Sequence, residues 1–262
     1  MGVITLGPKE TFSHQAAQKL YPKKKMLFAR SIDEVFFRLA EPEISEAVVP
    51  LENTLSFFVE ETITNLMKYD FALLGKTILK IAYHLVGEGE SITRLYAHPH
   101  AFKQCRQSVK AFCPSAKVIQ TENNALSVVQ WSANPKGAGA IVPQFACALY
   151  DLPILTEDFQ DEEENYTTFY ALGKSPPKKS KKNGSAFLIF SEPIATITNQ
   201  ISQFASEKKV PLLKLKNLVL QEGETPLYFI EVEGHIEDPP LRALFETLSD
   251  KFLIKHLGSY PL

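Results

Sequence analysis

RLYAHPHAFKQCRQSVKAFCPSAKVIQTENNALSVVQWSANPKGAGAIVPQFACALY, residues Arg94–Tyr150, alternates between two periodicities. Arg94–Ala97, Lys117–Thr121 and Gly139–Val142 are short and rich in branched or aromatic residues, which favours strands. Between them, His100–Phe112 places Phe102, Cys105, Val109 and Phe112 on one helical stripe. Ala125–Trp131 and Gln144–Tyr150 also read as helices. Strand and helix in alternation predict α/β layers with mainly parallel sheets.

The same pattern extends toward the N-terminus. Val3–Leu6 reads as a strand stopped by Gly7-Pro8, and Thr11 or Ser13 then caps a helix reaching Tyr21. Ser31 opens a second helix with Ile32, Val35, Phe36 and Leu39 on one face. Glu46–Leu51 reads as a buried strand, Glu60–Tyr69 as a helix, and Lys76–Val86 and Thr168–Leu172 as strands. Two such clusters predict two lobes, and a cleft between lobes suits a small-molecule site.

KSPPKKSKKNGS, residues 174–185, is nearly free of apolar residues and reads as a linker. No aromatic residue accompanies its lysines, so a nucleic-acid partner is not expected. Beyond it come strand Ala186–Phe190, helix Ile197–Glu207, strands Leu212–Leu220 and Leu227–Glu233, helix Pro240–Phe252 and strand Ile254–Leu257. Ile197, Ile201, Phe204 and Ala205 form the first helix's inward face. The order βαββαβ is ferredoxin-like.

Composition narrows the function. Of 262 residues, 45% are hydrophobic and 22% charged, and the formal net charge is -2, so no global field recruits nucleic acid or an anionic membrane. No apolar run approaches the ~20 residues of a membrane span. MGVITLGP lacks a basic segment before a long apolar run, so no secretory signal is expected. Cys105, Cys113 and Cys147 are odd in number and lack metal-site spacing; they read as buried thiols in a reducing cytoplasm. His98-Pro99-His100 lacks an evident third ligand, and Glu162-Glu163-Glu164 reads as a solvated loop face, so no metal site is expected.

Several segments together resemble one family. GPKETFSHQAA (7–17), VVPLENT (48–54), AHPHAFKQCR (97–106), GAIVPQFACALYDLPIL (139–155) and FQDEEENYTTF (159–169) are similar, in order, to the motifs of prephenate dehydratases. EGHIED (233–238) and LGSYP (257–261) resemble the end of the ACT domain attached to them. The resemblance implies a bilobed catalytic domain of type II periplasmic-binding-protein-like fold with two α/β subdomains, followed by a ferredoxin-like ACT domain. The implied division is 1–174 (lobe 1 about 1–75 and 158–174, lobe 2 about 76–157), linker 175–184 and regulatory domain 185–262. It also implies the reaction: prephenate loses its ring hydroxyl as water and its ring carboxylate as CO2, giving phenylpyruvate, with no cofactor. Arogenate, or mere binding of a small acid, is the alternative.

The resemblance assigns Thr167 as the catalytic residue that hydrogen-bonds the leaving hydroxyl. Asn53, with an amide that both donates and accepts, and Thr54 become substrate contacts. Thr11 and Phe12 lie at the first strand-to-helix turn, where free N–H groups suit a carboxylate. His98, Gln104, Thr168 and Phe169 complete the expected site. From the residues alone, Thr167 would only open a strand, Asn53 would be a turn residue, and His98 would cap the following helix.

This chain also departs from the family. Thr168 replaces a motif arginine, removing a cation suited to a carboxylate. Phe57-Phe58 replaces a Gly-Ser pair and is expected to fill part of the pocket. Ala97 replaces a serine, and Glu10 a glycine. In the regulatory domain, the glycine-rich segment that admits phenylalanine is Pro193, Ile194, Ala195 and Thr196, and a second motif becomes Lys216, Asn217, Leu218 and Val219. Loss of regulation by phenylalanine is expected, with the domain still pairing chains into a homodimer or homotetramer.

Overall fold

The computed structural model describes residues 2–89, 91–191, 197–218 and 226–262. The chain opens with β1 (Gly2–Leu6), α1 (Phe12–Leu20), β2 (Lys25–Ala29), α2 (Ile32–Leu39), β3 (Ile44–Asn53), β4 (Phe57–Phe58), α3 (Glu60–Lys68) and β5 (Ala72–Lys80). It continues through β6 (Tyr83–Gly87), β7 (Arg94–Ala97), α4 (Pro99–Gln104), α5 (Arg106–Phe112), β8 (Lys117–Gln120), α6 (Asn124–Ala133), β9 (Ala138–Pro143), α7 (Gln144–Tyr150) and β10 (Ile154–Thr156). It returns along β11 (Tyr166–Gly173) and ends with β12 (Asn183–Phe190), α8 (Ile197–Glu207), β13 (Leu212–Leu218), β14 (Leu227–Glu233), α9 (Pro239–Ser249) and β15 (Leu253–Pro261).

Three sheets result. The first has the order β2-β1-β3-β11-β5 with β4 on β3, and the second β10-β6-β9-β7-β8. These are the two α/β lobes. β1 runs parallel to β2 and β3, and β7 to β8 and β9, whereas β11 is antiparallel to β3 and β5, and β6 to β9 and β10. The sheets are therefore mixed rather than mainly parallel. The reason is topological: the chain leaves the first lobe after β5 and comes back reversed, so β11 slots in against its neighbours' direction.

Local chemistry explains the helix starts. Thr11 Oγ1 accepts from His14 N at 3.2 Å and caps α1, and Ser31 Oγ accepts from Glu34 N at 3.1 Å and caps α2. Ile32, Val35, Phe36 and Leu39 of α2 are all buried on the first sheet.

The third sheet has the ferredoxin-like order β13-β14-β12-β15. One face, including Phe187, Ile189 and Ile230, packs on Ile201 of α8 and Leu241 and Leu244 of α9. The other face, including Leu188, Phe229 and Tyr260, packs on Tyr170 and Leu172 of β11. Among the described residues three ion pairs cross this junction: Lys76 to Glu231, Lys214 to Glu52 and Lys255 to Asp70. Glu231 is 1% exposed and also accepts from the Tyr260 hydroxyl, so the buried charge is both paired and hydrogen-bonded.

Several expectations change. Lys76–Val86 is not one strand: β5 and β6 belong to different sheets and break at Ile81–Ala82, so the expected lobe boundary after residue 75 falls inside β5. His100–Phe112 is not one helix, because Cys105 has φ -119° and ψ 17° and divides α4 from α5. Phe112 is consequently 47% exposed rather than on the buried stripe. The linker ends sooner than expected, since Asn183, Gly184 and Ser185 already pair in β12. Cys105, Cys113 and Cys147 are buried, and burial raises each thiol's pKa, that of Cys147 to about 12.

Candidate active site

The C-terminal ends of β1, β2, β7 and β8 face each other across a cleft of about 690 Å³ lined by Gly7, Thr11, Arg30, His98, Glu122 and Asn124 among others. Ligands of open α/β sheets bind at this edge. A second recess of about 290 Å³ lies where α4 meets the β3 and β11 loops, lined by Ser56, His100, Lys103, Gln104, Asp161 and Asn165 among others. The room between the lobes is therefore not filled.

A chain of amides borders the second recess through Gln104 and Asn165. Asn53, at the end of β3, donates from Nδ2 to Thr167 Oγ1 at 2.9 Å and to Asn165 Oδ1 at 2.8 Å. Asn165 Nδ2 donates to Gln104 Oε1 at 3.0 Å. The orientation of Asn53 is set by its other end, where Oδ1 accepts from Leu55 N at 2.9 Å and Ser56 N at 3.0 Å. Asn53, Asn165 and Thr167 are all more than nine-tenths buried. Because Asn53 donates to Thr167, the threonine oxygen acts as acceptor here and keeps its own hydrogen for another partner. A hydroxyl that accepts a hydrogen bond becomes a better donor.

Asn165 also ties the lobes at their crossover: its carbonyl accepts from Ile81 N at 2.7 Å. Gln160 Oε1 accepts from Tyr83 N at 2.8 Å in the same crossover. Asn165 and Gln160 were not assigned from sequence, although both stand in the quoted segment 159–169. Their amides look like ordinary loop residues until the partners are seen.

Thr11 commits its hydroxyl locally, accepting from His14 N in the helix cap and donating to Pro8 O at 3.0 Å. Phe12 meets Tyr83 of the other lobe edge-on, with ring centroids 5.5 Å apart. Thr54 is exposed; its hydroxyl accepts from Tyr166 N at 2.9 Å and donates to Glu164 O at 3.1 Å, which holds the two loops together. His98 occupies the N-cap position of α4 without a side-chain cap and stacks on His100. Burial, then the His100 charge, lowers its pKa and favours the neutral ring.

Of the contacts expected on β11, Thr168 does not face the site. Successive strand residues point to opposite faces. Phe169 and Ala171 pack with Val3 and Ala16 on the α1 side, which is also the side of Thr167. Thr168 shares its face with Tyr170 and Leu172, toward the third sheet. Thr168 pairs across the sheet with Glu52, the partner of Lys214, so the motif-arginine position looks away from the cleft. Phe169 is on the correct face but is core, 2% exposed. Phe57 and Phe58 do not fill the cleft either: Phe57 is 76% exposed, and Phe58 packs on Phe229 at 5.7 Å.

Glu10 has φ 65°, a left-handed turn conformation that glycine adopts more readily. Its carboxylate is buried and accepts from the Tyr150 hydroxyl on α7, a tie between the two lobes that glycine would lack. Lys216 and Asn217 are exposed on β13 and border a space of about 470 Å³ with Glu52 and Phe58. Pro193, Ile194, Ala195, Thr196 and Val219 lie outside the described residues.

Known proteins agree with this architecture. The chain is 29% identical to the bifunctional chorismate mutase/prephenate dehydratase of Aquifex aeolicus over 99% of its own length and 73% of that protein. It is 27% identical to the prephenate dehydratase of Methanocaldococcus jannaschii, over 99% of this chain and 98% of the other. The crystal structure of prephenate dehydratase in complex with L-Phe from Arthrobacter aurescens superposes with TM-score 0.80 at 20% identity, covering 100% of this chain and 90% of that one, which speaks for the fold. The sequence profile described as prephenate dehydratase matches residues 3–177. The chain belongs to the prephenate dehydratase family.

Proposed function

We propose that this protein is a prephenate dehydratase acting in L-phenylalanine biosynthesis, converting prephenate to phenylpyruvate, water and CO2. The electron pair of the ring C–CO2 bond moves into the ring as the C–O bond to the hydroxyl breaks, and the departing oxygen takes up one proton, supplied by solvent, to leave as water. The ring becomes aromatic, so the driving force is intrinsic and the chemistry calls for no redox cofactor. The protein must hold a dianion and place a donor at the departing oxygen.

One observation carries the reading. Asn53 donates to Thr167 Oγ1 while its own carbonyl is held by the 55–56 backbone, which leaves the Thr167 hydrogen to bond the leaving hydroxyl. A hydrogen-bond donor at this position is worth roughly 10²–10⁴ in rate. The test is phenylpyruvate formation from prephenate at neutral pH. Native protein should turn over, and Thr167→Ala should lose about a hundredfold or more. Equal rates for the two would refute the assignment of Thr167.

The domain division follows the same reading: a dehydratase-type module 1–174, with its lobes crossing at Ile81–Ala82, and an ACT-type domain that opens with β12 at Asn183 rather than at the expected residue 185. Among the described residues no further strand pairs on the outer edge of β13, which supports continuation into a second chain as a homodimer or homotetramer; a monomeric mass at micromolar concentration would count against it. Among the described residues no helix is long and apolar enough to cross a membrane; a cytoplasmic enzyme is part of the proposal. With the glycine-rich segment replaced, phenylalanine should not bind by the usual route, and tight, specific binding in calorimetry would overturn this.

A further inference from the structure

Prephenate carries two carboxylates, and they make opposite demands. The ring carboxylate departs as CO2, so a cation holding it tightly would stabilise the ground state and slow the reaction. The side-chain carboxylate survives into product and can be anchored at no such cost. Hydroxyl and side chain sit at opposite ends of the ring. An anchoring cation therefore belongs about a ring's length away from Thr167.

We infer that Arg30 is this anchor. It follows the last residue of β2 and lines the 690 Å³ cleft with Thr11 and His98. β2 lies three strand positions from β11 in the first sheet, about 14 Å at ~4.8 Å per strand, and the register sets Thr167 about three residues, ~10 Å, further along the strands than Arg30, so their backbones stand roughly 17 Å apart. An extended arginine reaching inward shortens that to the span of a ring with its side chain. The backbone of Arg30 is pinned, its N–H donating to Glu34 Oε2 at 2.8 Å, while Glu34 N caps onto Ser31 Oγ. Its guanidinium has no hydrogen bond or ion pair with any described residue, Glu122 on the facing wall included. It is an uncommitted planar donor able to hold a carboxylate bidentately. Thr168 looks away from the cleft, so the cation expected at that position is supplied from β2 instead.

This inference rests on the dehydratase reading, and two measurements separate their failures. In steady-state assays with prephenate, Arg30→Gln should raise KM about tenfold or more with kcat changed little, and Arg30→Lys should recover part of the loss. A KM within about twofold of native would overturn the anchor. Calorimetry with phenylpyruvate, which retains the anchored carboxylate, does not depend on turnover. If native protein fails to turn over prephenate, the dehydratase reading fails, and tenfold weaker phenylpyruvate binding by Arg30→Gln still supports the anchor. Equal binding by both, or none by native protein, overturns it. Arg30 is exposed and its backbone contacts persist in Arg30→Gln, so unchanged thermal melting is the expected control.

Discussion

Asn53 and Thr167 stand opposite each other on β3 and β11, and the amide of the first donates to the hydroxyl of the second at 2.9 Å. The bond is directional because Leu55 N and Ser56 N occupy the Asn53 carbonyl. Asn53→Asp would replace the donor with an acceptor and turn the Thr167 hydrogen back toward the new carboxylate. The expected outcome is a kcat reduced by about a hundredfold or more, with KM less affected. Single-turnover formation of phenylpyruvate measures it, and a kcat near native would reject the proposed orientation.

Position 168 gives a prediction of opposite sign to the one its motif suggests. Thr168 faces the third sheet beside the Lys214–Glu52 pair. Thr168→Arg should therefore leave kcat/KM for prephenate within about twofold of native, since the new cation lies on the wrong face. A large gain in kcat/KM would show that the side chain reaches the cleft.

Gly258 lies against the backbone of β5. It has φ 143°, and a Cβ there would lie 2.8 Å from Leu73 N and 2.9 Å from Leu73 O. Neither atom belongs to a flexible side chain. Gly258→Ala should destabilise the protein by about 2 kcal/mol or more and loosen the third sheet from the first lobe. Urea denaturation followed by fluorescence reports it; a midpoint equal to native would contradict this packing.

His256 sets an acid limit on stability. Burial lowers its pKa from 6.5 to about 4, with its ring against Phe187 at 5.1 Å. The unfolded chain binds this proton below about pH 6.5 and the folded chain only near pH 4. Stability is thus unaffected above pH 6.5 and falls as pH drops from 6.5 toward 4, by up to roughly 3 kcal/mol. His256→Phe should lose less between pH 7 and pH 4.5. Parallel losses in the two proteins would assign the acid sensitivity to other groups.

Much of the architecture was legible in local sequence. Helix α8 and strand β14 run over the expected residues, Ile197–Glu207 and Leu227–Glu233, because each follows one clear periodicity. Ser31, and the choice between Thr11 and Ser13 that the structure decides for Thr11, announced their helices by side-chain chemistry that acts within three residues. The split at Ile81–Ala82 was hidden, because residues 76–86 contain no glycine or proline and both flanking strands are apolar; only their membership of different sheets divides them.

The motif Asn165-Tyr166-Thr167-Thr168-Phe169 shows where local information ends. Its residues determined a strand, and a period of two determined that Thr167 and Thr168 point apart. Which of them faces the cleft depended on what covers each side. Both faces of β11 are buried, one by α1 and the other by the third sheet, so hydrophobicity along the strand does not distinguish them. The same holds for Arg30, an ordinary surface cation in sequence. Only the opposition of the two lobes gives its guanidinium a cleft to face, and only the ion pairs formed elsewhere leave it uncommitted.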